Sequence, residues 1–285
     1  MTGQLADISA RLGTVRQLDN VVGAMRGMAA ARAQQSRNLL PAIRTYAEVV
    51  ATALSQALRL LPEGLSADPP RDGKRGLVLF CAEQGFAGAF SERVLDTLGE
   101  EPAATELFLI GARGLLRATD RGLHPVWTAG MVPHVDGLAD LARRLGEALY
   151  TAIRDRHLTQ VGLVLPDWSQ REGLHVKHRA LLPLDPRRFA RPATGYPPLI
   201  NLPPAALIEG LAEEYVHAQL REAVTIAFAA ENEARMSTMA SARNNIDRML
   251  TELRAQERQV RQDGITAEVI ELAGARRVTR TGGVP

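Results

Sequence analysis

The chain has one cysteine, Cys81, so it can form no internal disulfide and carries no C-x-x-C redox or zinc motif. It has no run of about 18 continuous apolar residues, which excludes a helix spanning a bilayer. The opening "MTGQLADISARLG" places polar residues at every third or fourth position and lacks the apolar segment of a secretory signal. These absences point to a cytosolic chain. Aromatics are scarce, at 4%, and unevenly placed: the first is Tyr46 and the last is Phe228. H-E-x-x-H and G-x-S-x-G are missing, and the six histidines form no recognisable nucleophile or acid–base set. His175 and His178 are three apart on an expected strand, so they face opposite sides and do not pair on a metal. No catalytic, cofactor-binding or metal residue is therefore assigned, and catalysis by this chain alone is not expected.

What remains is a globular composition, 46% hydrophobic and 23% charged over 285 residues, enough for one large domain or two ordinary ones. The net charge of +2 hides a bias: only Lys74 and Lys177 among the 34 basic residues are lysine. Genome composition explains so many arginines; so does a need for the fixed guanidinium fork in protein or phosphate contacts.

Three textures follow one another. Residues 1–60 repeat apolar positions at spacings of three and four: Ile8, Leu12, Val15, Leu18, Val22, Met25 and Ala29, then Leu39, Ile43, Tyr46, Val50 and Leu54 beyond a kink near Pro41. This predicts one long helix. The Pro-, Gly- and Asp-rich stretch 61–75 reads as a linker. Over 76–200, "GLVLFCA", "ELFLIG" and "VGLVLP" read as buried strands, with helices at 91–99 and 136–157 between them and an edge strand at 175–184. Strands alternating with helices predict an α/β open sheet with parallel strands.

Residues 204–277 lack proline after Pro204 and predict a second long helix, roughly 110 Å at about 1.5 Å per residue, longer than a small domain is wide. Residues 278–285 form a tail. Along this helix Met239, Ala242, Ile246, Met249, Leu253, Gln256 and Val260 follow a coiled-coil spacing, and small residues such as Ala29, Ala31 and Ala242 permit close approach. The two aromatic-poor ends are expected to wind together as an antiparallel two-helix coiled coil beside an α/β globule. The belt Arg235, Arg243, Arg248, Arg254, Arg258 and Arg261 reads as a solvated face or as a grip for an acidic partner or nucleic acid. Interleaved Glu231, Glu233, Asp247, Glu252, Glu257 and Asp263 break any one-sign stripe. "EQGFAGAF", after the first strand, reads as a tight turn or, less well, as a phosphate cradle. Its G-x-x-G spacing, with Gly85 and Gly88, matches neither the dinucleotide nor the P-loop pattern.

These residues resemble the gamma subunit family of the F-type rotary ATP synthase. The family signature S-E-x-x-A-R-M-x-A-M-x-x-A-x-x-N is matched by "AENEARMSTMASARNN" at Glu231, Ala234, Arg235, Met236, Met239, Ala242 and Asn245. A second, near the C-terminus, is matched at Arg261, Gln262, Ile265, Thr266, Glu268, Glu271, Gly274 and Ala275, and "VVGAMRGMAAARAQ" is similar to the family's N-terminal motif at Ala24, Met25, Ala29, Ala30 and Arg32. The resemblance implies a Rossmann-like globule and a two-helix shaft turning inside alpha and beta subunits, with a c-ring and an epsilon subunit as further partners, one copy per complex and no nucleic acid. It implies a rotor at the cytoplasmic face of a bacterial membrane, held there peripherally through the c-ring. It also implies that Met25, Arg32, Arg235, Arg261, Gln262, Thr266, Glu268 and Glu271 touch the alpha and beta subunits. Departures, "EQGFAGAFS" for a Gly-rich family motif and Arg276 and Arg277 near the tip, point to a divergent branch such as the alternative bacterial ATPases. The lone Cys81 excludes a chloroplast-type thiol switch. A rotor needs a surface without deep anchors: removing one aromatic or Arg anchor costs about 2 kcal/mol or more, comparable to the ~2.3 kcal/mol one charge releases across 100 mV.

Overall fold

The computed structural model describes residues 2–60, 73–99, 105–185, 189 and 199–281. Its elements in order are α1 (Thr2–Leu58), β1 (Lys74–Phe80), α2 (Phe90–Asp96), β2 (Thr105–Ile110), α3 (Ala112–Asp120), β3 (Trp127–Ala129), α4 (Leu138–Arg156), β4 (Leu158–Ser169), β5 (Gly173–Leu182) and α5 (Pro204–Thr281). Most of the expected linker, 61–72, lies outside the described residues. The chain divides into two compact units, Met1–Gly27 with Ser237–Pro285, and Met28–Met236. The division falls inside the two long helices rather than at their ends.

The larger unit holds a five-stranded sheet in the order β3-β2-β1-β4-β5. β3, β2, β1 and β4 run parallel, and β5 returns antiparallel along β4 at the edge. Alternation sorts the side chains of each inner strand. Val78, Phe80, Phe108, Ile110, Val161 and Leu163 join α4 and the 216–228 stretch of α5 on one face. Leu77, Leu79, Leu107, Leu109 and Val164 join α2 and Ala118 of α3 on the other. Covering both faces is why these strands read as unbroken apolar runs. β5 is the expected edge strand, and it runs antiparallel because a short turn after Ser169 leaves no room for a crossover helix.

The turn reading of "EQGFAGAF" is seen in the backbone, with Phe86 and Gly88 both at φ 62. Close packing sets a second glycine: a Cβ on Gly114 would fall within the Cys81 side chain, so α3 approaches β1 only because that Cβ is absent. Burial pushes the Cys81 thiol up to about 12, which leaves it protonated and inert.

In the smaller unit the two chain ends pair along an apolar seam. Ile8, Leu12, Val15 and Val22 of α1 meet Met239, Ile246 and Leu250 of α5, with Met25, Ala242, Leu253 and Val260 packed against them. Three expected seam members, Leu18, Met249 and Gln256, are displaced outward. Leu18 is 48% exposed and Met249 is 47% exposed, while Leu250 is buried in Met249's stead. From Ala242 the seam runs through Ile246 and Leu250 to Leu253, eleven residues in three turns. That is about 3.67 residues per turn, close to a straight helix, so a strict heptad reading drifts off the stripe. In the larger unit the same drift turns Leu39 and Tyr46 outward and buries Ser36, Ile43, Ala47, Val50 and Leu54 of α1. α1 continues through Pro41, and α5 continues to Thr281, past the expected end at 277.

Candidate functional site

The smaller unit carries most of the residues expected at a partner surface. With the seam turned inward, its outer face is mixed in charge, with Leu18, Val21, Met249, Ile265, Val269 and Ile270 exposed among the polar residues. Arg261, Gln262, Thr266 and Glu268 are exposed along α5, and Met25 is half-buried against the seam. The Arg261 guanidinium lies 3.1 Å from Glu257, and Thr266 donates its hydroxyl proton back to the Gln262 carbonyl at 2.9 Å. Arg243 faces Asp19 of α1 at 3.5 Å, a charge contact rather than a hydrogen bond. Such pairing engages Arg243 and Arg261 of the arginine belt locally. The side chains of Glu271, Arg276 and Arg277 lie outside the described residues.

Arg235 is placed differently from the expectation. It is 6% exposed, and each part of its guanidinium is engaged within the larger unit. Nη2 donates to Glu231 at 2.5 Å, Nη1 to the Asn232 side-chain oxygen at 3.3 Å, and Nε to the Gly85 carbonyl at 3.3 Å. Arg32, half-buried, lines a cleft beside this cluster with Glu83, Gln84, Phe228 and Glu231.

This cluster occupies the carboxyl ends of the parallel strands, where a doubly wound sheet ordinarily receives a ligand. Two carboxylates of the chain itself take the donors there. Glu231 accepts from the backbone N–H of Glu83 at 3.1 Å and of Gln84 at 3.3 Å. Glu83 accepts from the N–H of Ala112, the first residue of α3, at 3.0 Å, and from that of Met131, just past β3, at 2.8 Å. The N-terminus of α3 is thus already filled by an anion of the fold, while the α2 N-terminus, which the cradle reading of "EQGFAGAF" concerned, borders a cleft lined by Gln84, Gly85, Gly88, Ser91 and Arg113. Burial pushes the Glu231 carboxyl up, opposed by Arg235 and by the two N–H donors.

A second buried carboxylate, Glu222, accepts from Arg44 of α1 at 2.8 Å and Arg179 of β5 at 3.0 Å. Neither Glu83 nor Glu222 stands out in a sequence reading that looks for catalytic groups. A signal existed for Glu222, the only acid between Leu220 and Phe228 in a mostly apolar stretch. None existed for Glu83, whose partners are backbone groups supplied by distant loops. Among the described residues no group of three or more His, Cys, Asp or Glu could hold a metal ion, and no helix is long and apolar enough to cross a membrane.

A family model described as ATP synthase matches residues 4–277. The chain is 25% identical over 297 residues to the ATP synthase gamma chain of Parafrankia sp. strain EAN1pec, covering 99% of this chain and 100% of the relative. It is 26% identical over 300 residues to the gamma chain of Saccharopolyspora erythraea, covering 95% and 96%. Among solved structures, a chain of the Euglena gracilis mitochondrial ATP synthase OSCP/F1/c-ring assembly superposes with a TM-score of 0.65 at 12% identity, covering 100% of this chain and 98% of that one. A chain of the Tetrahymena thermophila central stalk/c-ring gives 0.54 at 16% identity over 78% of this chain and 99% of that one. At such identities the structures speak for the fold, and the full-length match carries the assignment: the chain belongs to the gamma-chain family of the ATP synthases.

Proposed function

We propose that this chain is the central-stalk rotor of an F-type ATP synthase, a non-catalytic subunit that carries torque between a membrane c-ring and the nucleotide sites of alpha and beta subunits. The observation that supports this most directly is the pairing of the two chain ends over an inward apolar seam, with an aromatic-free, charge-mixed exterior. The pair coheres internally, and the outside offers none of the buried aromatic anchors that would pin a turning shaft. Arg261, Gln262, Thr266, Glu268 and Glu271 would meet the alpha and beta subunits, with Met25 and Arg32 on α1. Arg235 would serve the same contact indirectly, by holding its neighbours in place. The relatives' names and the neighbours' central-stalk and c-ring assemblies agree with this reading. An epsilon subunit and the c-ring would complete the rotor, held peripherally at the cytoplasmic face of a bacterial membrane.

The test is reconstitution with alpha and beta subunits of an F-type ATP synthase from the same organism. The chain alone should not hydrolyse ATP, and its addition should yield a stoichiometric complex that does. Failure to form a complex with either subunit would overturn the proposal.

A further inference from the structure

We infer that α5 is bolted to the sheet at two buried carboxylates, Glu222 and Glu231, which grip opposite sides of the helix and act as the torque joint of the rotor. The inference rests on the rotor reading above and adds to it the residues through which torque enters the helix. The two positions are nine residues apart, about 13 Å along the axis and, at about 100° per residue, roughly half a turn apart in azimuth. Each reaches a different part of the larger unit. Glu222 holds Arg179 on β5 and Arg44 on α1. Glu231, itself held by Arg235, takes the Glu83 and Gln84 amides after β1, and Glu83 extends the tie to the starts of the segments after β2 and β3 through Ala112 and Met131. Two attachments on opposite sides of a rod form a couple, which opposes twisting about the axis; one attachment forms only a hinge.

The apolar contacts of α5 do not do the same work. Leu220, Ala223, Val224, Ala227 and Phe228 bind the helix to the sheet, yet hydrophobic contact is non-directional and includes three small or short side chains that offer little resistance to a shear. Charge-assisted hydrogen bonds to a buried carboxylate have fixed direction, and losing them leaves a buried charge short of partners. The same geometry accounts for the filled crevice. The carboxyl-end groups that bind ligands in other doubly wound sheets are here committed to holding a helix.

The experiment uses the full chain in a complex with alpha, beta, epsilon and the membrane sector, comparing wild type with Glu222→Gln, Glu231→Gln and the double variant. Wild type establishes the rotor role first: if it supports neither hydrolysis nor ATP-driven ion pumping, the rotor reading itself fails. Given a working wild type, each single variant should keep hydrolysis and lose pumping per ATP by about twofold, and the double variant by about tenfold, more than the singles multiplied. In the isolated chain, Glu231→Gln should speed hydrogen exchange at Glu83 and Gln84 by about tenfold while the β2 amides stay protected. A control truncation on the α4 face, Leu141→Ala, should lower global stability without changing pumping per ATP. Should the double variant not fold, Glu83→Gln read by exchange at Ala112 and Met131 and by the pumping ratio replaces it. Unchanged pumping per ATP in variants whose exchange shows the tie broken would overturn the inference.

Discussion

At the scale of residues, chemistry was legible where a side chain answers to its own neighbours and illegible where it answers to distant backbone. The seam residues Ile8, Leu12 and Val15 could be read from spacing alone. The burial of Arg235 could not, because its partner Gly85 lies 150 residues away and a signature records residue type, not company. The β4–β5 edge gives a residue-scale prediction. Burial would raise the Asp167 carboxyl, but the Lys177 ammonium at 2.9 Å and the Trp168 N–H together hold it below its ordinary value of 3.8. A carboxyl depressed in the folded state contributes stability that is complete above the unfolded value and is lost as pH falls through the folded one. Lys177→Met should therefore lower the melting temperature near neutral pH, and the deficit should shrink as pH falls below the ordinary carboxylate value. Thermal melts across that range check it; a deficit independent of pH would mean the pair contributes nothing through charge.

At the scale of elements, the long, strongly periodic segments were the readable ones. α1, α2, α4, α5 and the three apolar strands β1, β2 and β4 follow from period and length, whereas β3 has only three residues, and α3, though amphipathic, is absent from the expected elements. The seam of the coiled pair was legible in kind but not in phase. A strict heptad puts Met249 on the seam; the geometry puts Leu250 there, since a nearly straight helix advances its stripe by 3.67 rather than 3.5 residues per turn. Leu250→Ala should accordingly destabilise the chain by about 2–4 kcal/mol, through lost burial and a cavity between the helices. Met249→Ala should stay within about 0.5 kcal/mol. Urea unfolding of the two variants side by side decides the phase of the seam, and equal losses would restore the heptad.

At the scale of the molecule, the alternation of strand and helix announced the doubly wound sheet, and the aromatic-poor ends announced their pairing. What the crevice at the sheet's carboxyl edge is for was not readable, since the same topology serves ligand binding in other chains. Only the placement of Glu83 and Glu231 shows that backbone donors after β1, β2 and β3 are here taken by the chain's own carboxylates. The central claim is that this chain turns. The most direct measurement fixes a probe to an exposed position of the larger unit in the reconstituted alpha–beta complex, anchors the complex to a surface, and follows the probe under ATP. A rotor gives continuous rotation in one sense that stops when ATP is withdrawn; a probe that stays still while the complex hydrolyses ATP would contradict it.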